Sequence, residues 1–181
     1  KTGSRFEVEW VDIEDFHAKK TTTKHQGSIQ GASPFNGSEG IITDKESVFF
    51  TCKDGGFKEH GQIFRYYPSK YEGTTKEIEQ PGVLELFYES QDKDEYWGGD
   101  NIVIAPWGDL IICEDNGSRG CKLLGINKYG KIYVIGQVED SSSEIAGVCF
   151  SPDGRTMFLN IQDEGRTIAI FGDWQKVQNL Y

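Results

Sequence analysis

Gly98-Gly-Asp-Asn-Ile-Val-Ile-Ala-Pro-Trp-Gly-Asp-Leu-Ile-Ile-Cys-Glu-Asp115 reads as two strands folded back on a tight turn. Ile102, Val103 and Ile104 form a β-branched run, Pro106 to Asp109 supplies turn chemistry, and Leu110 to Cys113 is a second apolar run. Acids stand at both ends of this hairpin: Asp100 before the first strand, Glu114 and Asp115 after the second. An apolar hairpin tipped with carboxylates presents hard oxygen donors. Solvated surface acids are the plainer reading of any one of them, because acids are usually exposed.

The chain repeats this unit. Counting from Glu39 places a turn at Asp44-Lys-Glu-Ser47 and a strand at Val48 to Cys52. Counting from Ala146 places a turn at Pro152-Asp-Gly-Arg155 and a strand at Thr156 to Asn160. Further strands follow: Gln62 to Tyr67 with Val83 to Glu89, Leu123 to Ile126 with Lys131 to Ile135, and Thr167 to Phe171. Self-similarity at about 45 to 60 residues, with four short strands per unit, predicts an all-β, β-propeller-like fold. Three four-stranded blades are visible, over 39–99, 100–138 and 139–174.

Working outward, Phe6 to Ile13 alternates like a strand, and residues 1–38 read as a leading strand and polar loop completing a preceding blade. Ala18 to Phe35, rich in Lys, Thr, Ser, Gln and Gly, reads as a long loop. After Asp173-Trp174 a short tail remains. Propellers close with roughly four to eight blades, and three leave edge strands bare. The chain therefore reads as a portion of a larger propeller, the other blades lying elsewhere in the polypeptide or on a partner. A self-contained fold of unusual type is the alternative.

The formal net charge is −10. That disfavours nucleic acid and anionic membrane surfaces as partners, since both repel a negative protein. No membrane-spanning apolar run is present in the sequence. Four cysteines permit disulfides, and Cys113 and Cys121 flank a loop they could clip. No Cys/His spacing suggests zinc, and His17, His25 and His60 are scattered. Gly98-Gly99 lacks the Lys-Ser/Thr of a phosphate loop, and no serine has a nucleophile-elbow setting. Trp107, alone in a turn, is expected to pack between blades.

In a propeller the first strand of each blade lines the channel, so equivalent positions converge on one mouth. Glu39 and Asp100 share an offset, whereas Ala146 holds it in the third repeat and Glu144 is the nearest acid. Two carboxylates there repel by about 4 kcal/mol at ~4 Å and an effective dielectric near 20, unless a cation intervenes. A Ca²⁺ site takes about six to eight oxygens, making Asn101 a natural helper.

The motifs Glu39-Gly-Ile, Gly61-Gln-Ile-Phe-Arg-Tyr-Tyr-Pro68, Asp100 to Asp115 and Ala146 to Gln162, closing on Asp173-Trp174, resemble the C-terminal part of PhoX-type alkaline phosphatases. The resemblance implies a secreted, periplasmic or organelle-lumen enzyme with a six-bladed propeller. It also implies hydrolysis of phosphomonoesters at a calcium-dependent, iron-containing cluster in the channel. By matching motif, Glu39 and Asp100 are candidate metal ligands and Glu114 a weaker one. The N-terminal half of such an enzyme, with its share of ligands, has no counterpart here, so this portion alone is expected to be inactive. Two functions follow: the C-terminal portion of a Ca²⁺-dependent phosphatase, or a non-catalytic propeller module that docks in a larger assembly.

Overall fold

The computed structural model describes residues 1–117, 120–139 and 141–179. Ser118, Arg119 and Asp140, which fall in predicted loops, and the end of the expected tail lie outside them. Strand accounts for 39% and helix for 8%, so the chain is all-β. Three antiparallel sheets carry the fold.

The first sheet contains β1 (Arg5–Glu7), β2 (Ser38–Thr43), β3 (Val48–Cys52), β4 (Gln62–Tyr67) and β5 (Val83–Glu89), in the order β1-β5-β4-β3-β2. The second is the meander β6 (Gly99–Ile104), β7 (Leu110–Glu114), β8 (Lys122–Ile126) and β9 (Ile132–Gln137). The third is β10 (Ile145–Phe150), β11 (Thr156–Ile161) and β12 (Arg166–Phe171). The turns fall where the residues place them. Asp44 Oδ1 accepts from Glu46 N at 2.7 Å and Ser47 N at 2.6 Å. Asp153 Oδ1 accepts from Ser151 Oγ at 2.6 Å and Arg155 N at 3.1 Å. Both are side-chain mimics of a backbone turn.

The continuous apolar run of β7 has a packing reason. Every residue of β7 and β8 is buried, because the second sheet is covered on both faces. Leu110 and Ile112 join Phe49, Ile63, Tyr88 and Tyr96 in a core against the first sheet. Ile111 and Cys113 join Val148, Met157, Leu159 and Ile161 in a core against the third. A strand buried on both faces loses the alternation that marks a half-exposed one. Each fully buried isoleucine here contributes ~1.5–3 kcal/mol of hydrophobic stabilisation. Trp107 takes its expected place in the second core, 8% exposed, with its Nε1–H donating to Asp109 Oδ2 at 3.1 Å.

Several expectations are corrected. The leading strand is only Arg5–Glu7 and pairs with β5, adding a fifth strand to the first sheet. No preceding sheet receives it among the described residues. The predicted loop over 18–35 holds a short helix, α1 (Thr23–Ile29), whose Gln26 bonds the Asp15 backbone in both directions at 3.0 and 2.9 Å. The sheets have five, four and three strands rather than four each. The clip between Cys113 and Cys121 is not made. All four cysteines are free, and Cys113 and Cys121 are both fully buried in the core against the third sheet. Burial pushes the Cys52 and Cys113 thiols up to about 11 and about 12.

Candidate metal centre

Three strands, one in each sheet, carry the same irregularity. Register shifts fall between Ser38 and Ile41 in β2, Gly99 and Ile102 in β6, and Ala146 and Cys149 in β10. A one-residue bulge bends a strand and re-aims its side chains. Asp100 sits inside the β6 bulge. Gly98 enters it at φ +65°, a left-handed turn that glycine takes without Cβ strain, and its carbonyl accepts from Asp115 N at 2.8 Å. The two ends of the hairpin are thereby held together.

Across the sheets, β2 packs beside β6, and β10 beside β6 and β7. The approach at Gly40 is so close that a Cβ there would lie 2.4 Å from the Asp100 carbonyl oxygen. Thr51, from β3, donates to that same oxygen at 2.8 Å and accepts from Gly40 N at 2.9 Å. The N–H of Gly147 in β10 donates to Asn101 Oδ1, and Asn101 Nδ2 donates to Asp100 Oδ1 at 3.2 Å. Asn101, expected as an oxygen donor, thus has its oxygen taken by backbone and orients Asp100 instead.

The result is one acidic group. Asp100 at the start of β6, Asp115 just past β7 and Glu144 just before β10 each place a carboxylate oxygen within 4.8 Å of the others, all half-buried. Among the described residues no histidine or cysteine joins them. Lys53, just past β3, forms an ion pair with Asp115 Oδ2. Burial opposes the lysine's charge, but the bond to Asp115 and the charges of Asp100 and Asp54 outweigh it and hold the ammonium above its ordinary range. Glu144 is pushed up to about 7 by burial first, then by its hydrogen bond to Asp115 and the charges of Asp115 and Asp100. A carboxyl group that resists ionisation among other carboxylates is a group short of positive charge.

Of the residues singled out in the sequence, the structure brings Asp100 into this group and leaves Glu39 and Glu114 outside it. Glu39 stands exposed on β2. Glu114 is 0% exposed and turned the other way, accepting from Trp97 N at 2.9 Å, Lys122 N at 3.0 Å and Asn116 Nδ2 at 3.2 Å. Asp115 was within reach of sequence reasoning. It continues the parity of Ile111 and Cys113, which face the third sheet, whereas Glu114 continues that of Leu110 and Ile112.

The all-β chain thus gathers three half-buried carboxylates where two of its sheets meet. The family model described as Alkaline phosphatase PhoX matches residues 2–165, and the chain belongs to that family. Membership supports a phosphatase-type function. No curated protein matches the chain. Among the described residues no helix is long and apolar enough to cross a membrane.

Proposed function

We propose that this chain is part of a Ca²⁺-dependent phosphomonoesterase whose metal centre includes Asp100, Asp115 and Glu144. The observation that carries the reading is the convergence of those three carboxylates, from two sheets, in a member of a phosphatase family. The donor chemistry suits the cation: carboxylate oxygens alone favour Ca²⁺ over softer metals. Three carboxylates and one ammonium leave a formal charge of −2, which one divalent ion cancels. The iron implied by the family resemblance would need donors beyond this group.

The three sheets are read as successive blades of a propeller, six-bladed by family resemblance. Support comes from the recurring bulge, from the side-by-side first strands, and from the outward-facing β12, most of whose residues are exposed. Glu39, at the matching position of β2, faces the channel in this reading, and the remaining blades supply the rest of the coordination shell. An extracytoplasmic location is part of the same reading.

Bound at this group, a divalent cation supplies Lewis acidity toward a phosphoryl oxygen. The chain's own residues do the holding. Asn101 fixes the Asp100 carboxylate, the Thr51 hydroxyl pins the Asp100 backbone, and Lys53 fixes one oxygen of Asp115. Glu144 must lose its proton to join them.

The test is phosphomonoester hydrolysis and thermal melting of the intact protein, in chelator and in Ca²⁺. Ca²⁺ should raise both the rate and the melting temperature, since a ligand bound only by the native state adds ~2.7 kcal/mol at a hundred times its dissociation constant. Asp100→Asn should blunt both responses, and the surface control Asp92→Asn should not. A melt indifferent to Ca²⁺ would leave the non-catalytic module as the better account.

A further inference from the structure

Lys53 forms an ion pair with Asp115 of the acidic group, and it comes from a different sheet than its partner. Its backbone N–H donates to Gly37 O at 2.7 Å, fixing the chain just past β3. Its side chain is three-quarters buried, with 25% exposed, and its ammonium rests on Asp115 Oδ2. Asp100 and Glu144 both feel its charge. A surface lysine paired with one carboxylate would need none of this placement.

We infer that Lys53 is a substrate-positioning residue, whose ammonium shares Asp115 with the cation and pairs with the phosphoryl oxygens of a phosphomonoester brought to that cation. The inference rests on the metal reading above and deepens it. Two effects of Lys53 on cation binding oppose each other. Holding Asp115 in place favours binding, while a positive charge a few ångströms away disfavours it. For a half-buried site, repulsion between a monovalent and a divalent charge at ~5 Å exceeds what one oriented hydrogen bond returns. The net effect of Lys53 is therefore to weaken cation binding, although in the metal-free protein it offsets part of the repulsion among the carboxylates. The ammonium is useful where an anion arrives. An oxyanion on a cation held by Asp115 would come within reach of Lys53, whose ammonium already rests on that carboxylate. Lysine suits this as a compact point charge on a flexible stem, able to move from carboxylate to phosphoryl oxygen.

The experiment is calorimetric titration of the full chain, first with CaCl₂ and then, in saturating Ca²⁺, with inorganic phosphate as probe. Lys53→Met keeps the apolar stem and deletes the charge. It should bind Ca²⁺ about tenfold or more tightly than the unaltered protein and lose most phosphate affinity, by about tenfold or more. Lys53→Arg, which keeps the charge, should stay within a few-fold on both, as should Lys58→Met, a control at an exposed lysine outside the acidic group. This opposite-sign pair of changes is one that a merely structural lysine cannot give. Ca²⁺ binding that is unchanged or weakened in Lys53→Met, or phosphate binding that persists in it, overturns the inference and leaves the metal reading standing. If the unaltered protein takes up no Ca²⁺, the metal reading fails first and this inference fails with it.

Discussion

Thr51 donates its hydroxyl proton to the carbonyl oxygen of Asp100 at 2.8 Å, so a side chain of the first sheet pins the backbone of the second at the residue that carries the candidate ligand. The same hydroxyl oxygen accepts from Gly40 N at 2.9 Å, in the bulge of β2. Thr51 is 0% exposed, and water cannot replace either bond. In the third sheet Asn160 has a comparable task, donating to Ala146 O at 3.3 Å across the β10 bulge. Bulges free backbone groups, and at β2, β6 and β10 this fold answers with a side chain.

Thr51→Val should therefore cost about 1–3 kcal/mol, because it keeps the shape but strands two buried backbone groups. Urea unfolding of the two proteins measures this. Thr51→Ser, which restores the hydroxyl, should recover most of the loss. A Val variant as stable as the parent would mean that the bridge adds nothing.

Glu114 and Asp115 are neighbours with opposite duties, and substitution should separate them. Glu114→Gln places an amide N–H₂ against one of the backbone donors at Trp97 and Lys122. It should lower stability by about 1–3 kcal/mol while leaving the Ca²⁺-induced shift in melting temperature intact. Asp115→Asn should do the reverse, with a small change in chelator and a blunted Ca²⁺ shift. The same melting series, with and without chelator, checks both.

The strand pattern was legible because a turn signal and a β-branched run recur together, at Asp44, Pro106 and Pro152. The extent of each sheet was not. β1 joins β5 from nearly eighty residues away, and a three-residue pairing leaves no periodic trace in the sequence. The site was half legible. Asp100 stood out at the head of a hairpin, but equal offset does not mean equal depth, and Glu39 on β2 is exposed where Asp100 is half-buried. Lys53 was invisible for a different reason. Its meaning lies in the neighbouring sheet, and no local pattern around Cys52-Lys53-Asp54 points there.

Glu144 gives the metal-free protein a pH signature. Its folded value, about 7, lies above the 4.5 of an ordinary glutamate, so the native state holds this proton more tightly than the unfolded chain does. The resulting stability is present in full below about 4.5 and is lost as pH rises through about 7. Glu144→Gln is neutral at every pH and lacks this dependence. In chelator, the melting temperature of the parent relative to Glu144→Gln should fall between pH 4.5 and 7. Added Ca²⁺ should flatten the difference, because the cation favours the ionised carboxylate. Parallel curves in chelator would show that Glu144 titrates normally.

Tyr96 is the last case, and it separates the ring from its hydroxyl. The side chain is 0% exposed, sits 5.3 Å from the Tyr88 ring, and packs in the core between the first two sheets. Its hydroxyl is buried with no hydrogen-bond partner among the described residues. Burying a polar group unpaired costs about 1–3 kcal/mol, so the hydroxyl destabilises the fold while the ring stabilises it. Tyr96→Phe should accordingly melt at or above the parent temperature. Tyr96→Leu, which leaves part of the ring's volume empty, should lose several kcal/mol through the cavity. Chemical denaturation of the three proteins gives the ordering Phe at least equal to Tyr, and both well above Leu. A Phe variant clearly less stable than the parent would mean that the hydroxyl is bonded in solution, most simply to a buried water, and that the polar floor of this core is part of its design.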